Sequence, residues 1–227
     1  MELIPAIDLL NNIVVKALKG ERKKYRPIKS KLVNSTKLDE VITSMLNEYK
    51  FKKIYIADLN AIMCDRNNFA IIKKVVKKFS NIEFWVDPGI KTFSDFEKFK
   101  NISCKIIIGS ETLKNIHELK KIYKYKQKEV ILSLDFKNNS FLGPKNLINK
   151  KDLWTKKIIF MLIDFVGAKK RPELKKLKRF GLNLKKNCYL AGGVASNRDI
   201  NFFKKKGYEG VILSTAIHEK KIIYEKL

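Results

Sequence analysis

Two aspartates 127 residues apart, Asp8 and Asp135, have the type and placement for proton-transfer chemistry. Each ends an apolar run, Leu3–Asp8 and Glu129–Asp135. An unpaired buried carboxylate is costly, so an acid at the end of a buried strand points to a rim rather than to a core. Two opposed carboxylates divide acid and base roles when their surroundings push their pKa values apart. A second set of residues suits an anion. In Tyr189–Asp199, YLAGGVASNRD, an apolar run meets Gly192 and Gly193, and Ser196 opens an amphipathic segment. Glycines let backbone approach a ligand, and N–H groups at a helix start attract negative charge. Ser214 and Thr215 join this candidate phosphate site. Gly89 and Thr92, with Gly109 and Ser110, form a weaker counterpart. There Pro88 has no N–H to donate and Asp87 would repel a dianion. Asp58 and Asp164 also end apolar runs, where helix capping is the plain alternative to a functional role. With Lys16 they are candidates for the substrate side.

These residues recur in register. Val86–Phe99 lies over Leu190–Phe203 so that Gly89 falls on Gly193, Thr92 on Ser196 and Asp95 on Asp199. Gly109-Ser110 falls on Ser214-Thr215, Asp58 on Asp164, and Asp8 on Asp135. The offsets, 104 to 127 residues, differ only by loop length. Such self-similarity implies two halves, about 1–125 and 126–227, of four strand–helix units each. The symmetry sets Asp8 and Asp135 across one site from each other.

Eight apolar runs can supply the strands: Leu3–Asp8, Lys53–Asp58, Ile82–Asp87, Lys105–Gly109, Glu129–Asp135, Lys157–Asp164, Cys188–Ala191 and Gly210–Leu213. They are continuously hydrophobic, as parallel strands covered on both faces are. Helical periodicity fills Leu38–Tyr49, Asn68–Phe79, Thr92–Lys100, Glu111–Lys124, Pro172–Phe180 and Asn197–Lys206, with a short last helix in Ile217–Leu227. Asn11–Ser35 reads as the longest loop. Eight alternations in 227 residues predict a single α/β domain, a (β/α)8 TIM barrel over 1–227. An open doubly wound sheet is the alternative; the two-fold repeat favours the closed ring.

The formal charge of +26 invites a nucleic-acid reading. The lysines are spread over every expected helix, however, and no binding motif accompanies them, so solvated helix faces account for the charge and no specific nucleic-acid partner is expected. Cys64, Cys104 and Cys188 show no CxxC spacing, so neither a disulfide framework nor a zinc site is expected. No apolar run approaches the ~20 residues of a membrane span, and a cytoplasmic protein is expected. His117 reads as a surface residue and His218 as structural. Trp85, Trp154 and Tyr55 read as packing residues.

The chain resembles the histidine-biosynthesis barrels, ProFAR isomerase and the cyclase half of imidazole glycerol phosphate synthase. IPAIDLLNNIVVKALKG is similar to their first strand and loop, IYIADLNAI to the second strand, KIIIGSETL to the fourth, and CYLAGGVASNRDI with GVILSTAI to the seventh and eighth. The resemblance implies a barrel of the ribulose-phosphate-binding type and a small phosphorylated substrate. It also implies aldose–ketose chemistry with Asp8 as general base and Asp135 as general acid, and neither metal nor cofactor. It places Gly192, Gly193, Ser214 and Thr215 at one phosphate and Gly109 and Ser110 at another. Asp87-Pro88-Gly89-Ile90-Lys91 departs from the family's glycine-rich third strand end, and Ala168-Lys169-Lys170 replaces its Asp-Gly-Thr segment. SETL, SLDF, LGP and STAIH are closer to a HisA-like side branch associated with tetrahydromethanopterin biosynthesis. An ordinary ProFAR isomerase is the alternative, and a non-catalytic phosphate-ligand or nucleic-acid-binding barrel is a second.

Overall fold

A computed structural model describes residues 1–63, 66–125, 129–168, 170–172 and 187–224. Eight parallel strands close into a barrel. In ring order they are β1 (Glu2–Leu10), β4 (Lys53–Asp58), β5 (Glu83–Asp87), β6 (Lys105–Gly109), β7 (Val130–Lys137), β9 (Ile158–Leu162), β10 (Cys188–Ala191) and β11 (Gly210–Leu213). The ring is shut by β11 against β1, with Ile4 opposite Ile212. Two residue sets face opposite ways from these strands. Tyr55, Trp85, Ile107, Ile131, Ile159 and Tyr189 fill the interior. Ile54, Phe84, Ile106, Leu132, Phe160 and Leu190 point outward, beneath the helices. This two-sided burial is why the strands read as unbroken apolar runs.

At the N-terminal end of the barrel, charges alternate around the ring. Lys53 bridges Glu2 at 2.6 Å and Glu83 at 3.9 Å, and Lys105 bridges Glu83 at 2.9 Å and Glu129 at 3.1 Å. Lys157 lies 4.0 Å from Glu129. This end is closed by ion pairs over Trp85, whose indole N–H donates to Glu83. The open end is the C-terminal rim.

The expected Asn11–Ser35 loop carries two further strands, β2 (Ile13–Lys16), antiparallel on β1, and β3 (Arg26–Pro27), antiparallel on β2. The other half repeats this device: β8 (Ser140–Leu142) turns back on β7. Both hairpins turn on two asparagines with left-handed backbone, Asn11-Asn12 (φ 51° and 64°) and Asn138-Asn139 (φ 50° and 59°). That is the geometry a two-residue hairpin of type I′ demands.

Three other expectations are corrected. The helix expected from Glu111 begins at Ile116, where Asn115 accepts from the Glu118 N–H; the Lys114 N–H, which would close the first turn of a helix from Glu111, donates instead to the Lys91 carbonyl at 3.0 Å. The sixth barrel strand stops at Leu162, and Asp164 sits in a 3-10 turn, Ile163–Phe165. The last helix is only Thr215–His218. The helix expected in Pro172–Phe180 lies outside the described residues except for Pro172. Among the described residues no helix is long and apolar enough to cross a membrane.

Candidate active site

The C-terminal rim holds a cavity that is open to solvent. Asp8 and Asp135 both line it, brought from β1 and β7 to opposite sides of its floor. Asp135 is 3% exposed and accepts from the Ser133 hydroxyl at 2.7 Å and the Glu111 N–H at 2.9 Å. Burial, with Glu111 and Asp87 nearby, pushes its carboxyl up to about 8 despite those donors. Asp8 is also raised by burial, to about 7, against the pull of Arg22. It keeps some exposure to the cavity, so solvent tempers its shift more than that of Asp135. None of the described side-chain hydrogen bonds ends on the Asp8 carboxyl.

A third acid joins them. Asp87, 6% exposed, accepts from its neighbour Gly89 N–H at 3.0 Å and from the Tyr55 hydroxyl at 3.4 Å. Burial raises it to about 7. Asp87 and Asp135 flank Gly109: a Cβ there would lie 3.2 Å from one carboxylate and 3.4 Å from the other. Tyr55 is therefore part of the cavity floor as well as core, and its phenol is held well above its usual value by burial and by Asp87. Glu111 and Arg22 complete this end, paired at 2.6 Å.

Arg22 comes from the segment after β2, which lies over the cavity mouth. The Lys19 N–H donates to the Val166 carbonyl at 2.7 Å, and the Lys137 ammonium donates to the Gly20 carbonyl at 3.3 Å. The sequence set Asp87 at a strand end, as it did the other acids, and marked it as unfavourable to phosphate. Its partnership with Asp135, and that of Arg22 with Glu111, span 48 and 89 residues, so no local pattern reveals them.

The opposite end of the cavity is walled by Gly192, Gly193, Ser214 and Thr215. Gly193 has φ 79°, and a Cβ on it would meet the Lys170 carbonyl at 2.6 Å, so only glycine fits. Among the described hydrogen bonds none uses the N–H groups of Gly193, Thr215 or Ala216. Their symmetry mates differ. The Gly89 N–H donates to Asp87, the Ser110 N–H to the Ser133 carbonyl at 2.9 Å, and the Glu111 N–H to Asp135. Among the described residues one half leaves these donors without a partner; the other turns them inward onto carboxylates and main chain.

The remaining candidates lie off the cavity wall. Ser196 gives its hydroxyl to Asp199 at 3.0 Å, which also accepts from the Ala195 N–H, so these two start a helix. Thr92 and Asp95 form the matching capping box. Gly89, Gly109 and Ser110 sit behind the acids, the Ser110 hydroxyl donating to the Leu142 carbonyl at 2.6 Å. Asp58 is fully buried and accepts from the Asn68 N–H at 2.7 Å and side-chain amide at 2.6 Å. Asn68 and Asn60 in turn receive the N–H groups of the Asn11-Asn12 turn. Asp164 accepts directly from the Asn138 N–H at 2.6 Å. Both acids thus secure hairpins. Lys16 points to Glu219 at 3.9 Å. His218 is buried against Ser30, held down to about 4 by burial and Lys16, and His117 is exposed. Among the described residues no set of three or more His, Cys, Asp or Glu side chains is arranged to hold a metal ion.

A closed parallel barrel with its acids and its free backbone donors gathered at the C-terminal rim is the arrangement of a (β/α)8 enzyme site. The model of the family described as Histidine biosynthesis protein matches residues 2–223, and the chain belongs to that family. It is 32% identical over 233 residues to the uncharacterized protein MJ0703 of Methanocaldococcus jannaschii, covering 100% of this chain and 97% of that one. It is 29% identical over 246 residues to the 1-(5-phosphoribosyl)-5-((5-phosphoribosylamino)methylideneamino)imidazole-4-carboxamide isomerase of Pelagibacter ubique, with 100% and 98% covered. The isomerase of the same name in Methanosphaera stadtmanae is 25% identical over 238 residues, with 99% and 97% covered.

Proposed function

We propose that this chain is an enzyme that rearranges a small phosphorylated metabolite, an isomerisation or a related carbon–nitrogen rearrangement, without a metal. Asp135 acts as general acid and Asp8 as general base. The observation that carries this reading is the pair itself: two carboxyls on one cavity floor, one buried and protonated at neutral pH, the other unpartnered and facing the space where a substrate would lie. Gly192, Gly193, Ser214 and Thr215 hold the phosphate with their backbone and hydroxyl donors. The resemblance of SETL, SLDF, LGP and STAIH to the HisA-like side branch supports a place in tetrahydromethanopterin biosynthesis.

The names of the isomerase relatives contain two phosphoribosyl groups, which favours ProFAR isomerisation as the second reading. Against it stands the acidic half of the cavity, whose N–H groups are already spent. Purified protein incubated with ProFAR is expected to show no robust turnover. In a 31P NMR titration inorganic phosphate is expected to bind, and Gly193→Ala to abolish that binding. Fast ProFAR turnover lost in Asp8→Asn would make the second reading correct. Absence of phosphate binding in the folded protein would sink the first.

A further inference from the structure

Resting on the reading that the Gly192–Thr215 end holds a phosphate, we propose that the substrate is a phosphate monoester carrying a cationic nitrogen at its other end, seated between Asp87 and Asp135. Three carboxyls, Asp87, Glu111 and Asp135, gather at the far end of the cavity, and Asp8 faces them across the floor. The cation there, Arg22, is already paired with Glu111 at 2.6 Å. Among the described residues none of the other three acids has an ion-pair partner, and Asp8 lacks even a side-chain hydrogen bond. The N–H groups that would greet an anion are engaged at Gly89, Ser110 and Glu111, and Pro88 has none. What this end offers a ligand is acceptors and negative charge.

The offer has a shape. One oxygen of Asp87 and one of Asp135 converge in front of Gly109, 3.2 and 3.4 Å from where a Cβ there would stand. An ammonium has three donors and a compact charge that suit two converging carboxylates. The amine enters as an ammonium and pairs with the Asp87 carboxylate, while Asp135 accepts one of its N–H groups and keeps the proton it delivers as general acid. A second phosphate in the same place would face three uncompensated acids.

The test compares three small probes by calorimetry on the unaltered protein: 3-aminopropyl phosphate, its neutral isostere butyl phosphate, and propane-1,3-diyl bisphosphate. The amino ester is expected to bind at least tenfold more tightly than butyl phosphate, and the bisphosphate more weakly than both. Asp87→Asn is expected to remove most of the amino ester's advantage. Should that variant fold poorly, Asp8→Asn, at the solvent side of the cavity, is expected to reduce the same advantage. Equal binding of the amino and butyl esters, with inorganic phosphate still bound, would overturn the ammonium seat and leave the phosphate reading standing. Failure of every probe including inorganic phosphate would overturn the phosphate reading, and this proposal with it.

Discussion

Asp8, Asp87 and Asp135 make the protein's stability depend on pH in the unusual direction. Their folded pKa values, about 7, 7 and 8, lie above the ordinary 3.8 of an aspartate. The folded state therefore binds more protons than the unfolded one through the neutral range, and stability falls as pH rises. The sign is opposite to that of the paired acids Glu2, Glu83 and Asp95, whose lowered values stabilise only as pH rises through the acid range. Thermal unfolding followed from pH 7 to 9 is expected to show a falling Tm, and Asp135→Asn to flatten most of the fall. An unchanged slope in that variant would show that Asp135 does not hold its proton in the fold. His218, held down, adds the reverse effect only below about pH 6.5.

The half-barrel repeat is carried at the level of elements by the hairpins more than by the helices. Asp-x-x-Asn-Asn occurs at Asp8 and again at Asp135, 127 residues on, so the paired turns were legible in the sequence once the spacing from the acid was followed. The left-handed backbone at Asn11-Asn12 and Asn138-Asn139 fixes the register of each hairpin, and so the height of Asp8 and Asp135 on their strands. Asn139→Gly is expected to be near neutral, whereas Asn139→Val should cost about 1–2 kcal/mol, since a branched side chain resists that conformation. The ties to the turns differ. Asp58→Ala would strand the buried Asn68 donors, at about 1–3 kcal/mol, while Asp164→Ala frees an exposed turn and should cost roughly 1 kcal/mol or less. Denaturant unfolding of the variants reads both; an equal loss would show that the buried network adds nothing.

Across the whole molecule, the two halves keep one architecture and divide the labour. Strand order and the placing of the acid pair were readable from the repeat, because they are symmetric, whereas the Thr92 and Ser196 hydroxyls, expected at phosphate, bond Asp95 and Asp199 at helix starts instead. The division itself was only half readable. Pro88 and Asp87 signal a poor phosphate site, but the inward turn of the Gly89, Ser110 and Glu111 N–H groups depends on contacts across the barrel. The helix start at Ile116 was missed for the same reason: the bond from the Lys114 N–H to the Lys91 carbonyl, 23 residues back, replaces the first helical one of a helix from Glu111.

The segment that brings Arg22 to Glu111 joins the first barrel strand's loop to the end of the fourth, and both residues line the cavity that a ligand enters. This makes entry a rate process with its own salt dependence. A chain with a formal charge of +26 should draw a phosphate ester in more slowly as salt screens the attraction. Screening also loosens the Arg22–Glu111 pair, so the association rate is expected to rise with ionic strength before it falls. In stopped-flow measurements, Arg22→Ala should bind faster at low salt and keep only the fall. A monotonic decline in both proteins would show that traffic into the barrel is set by diffusion alone.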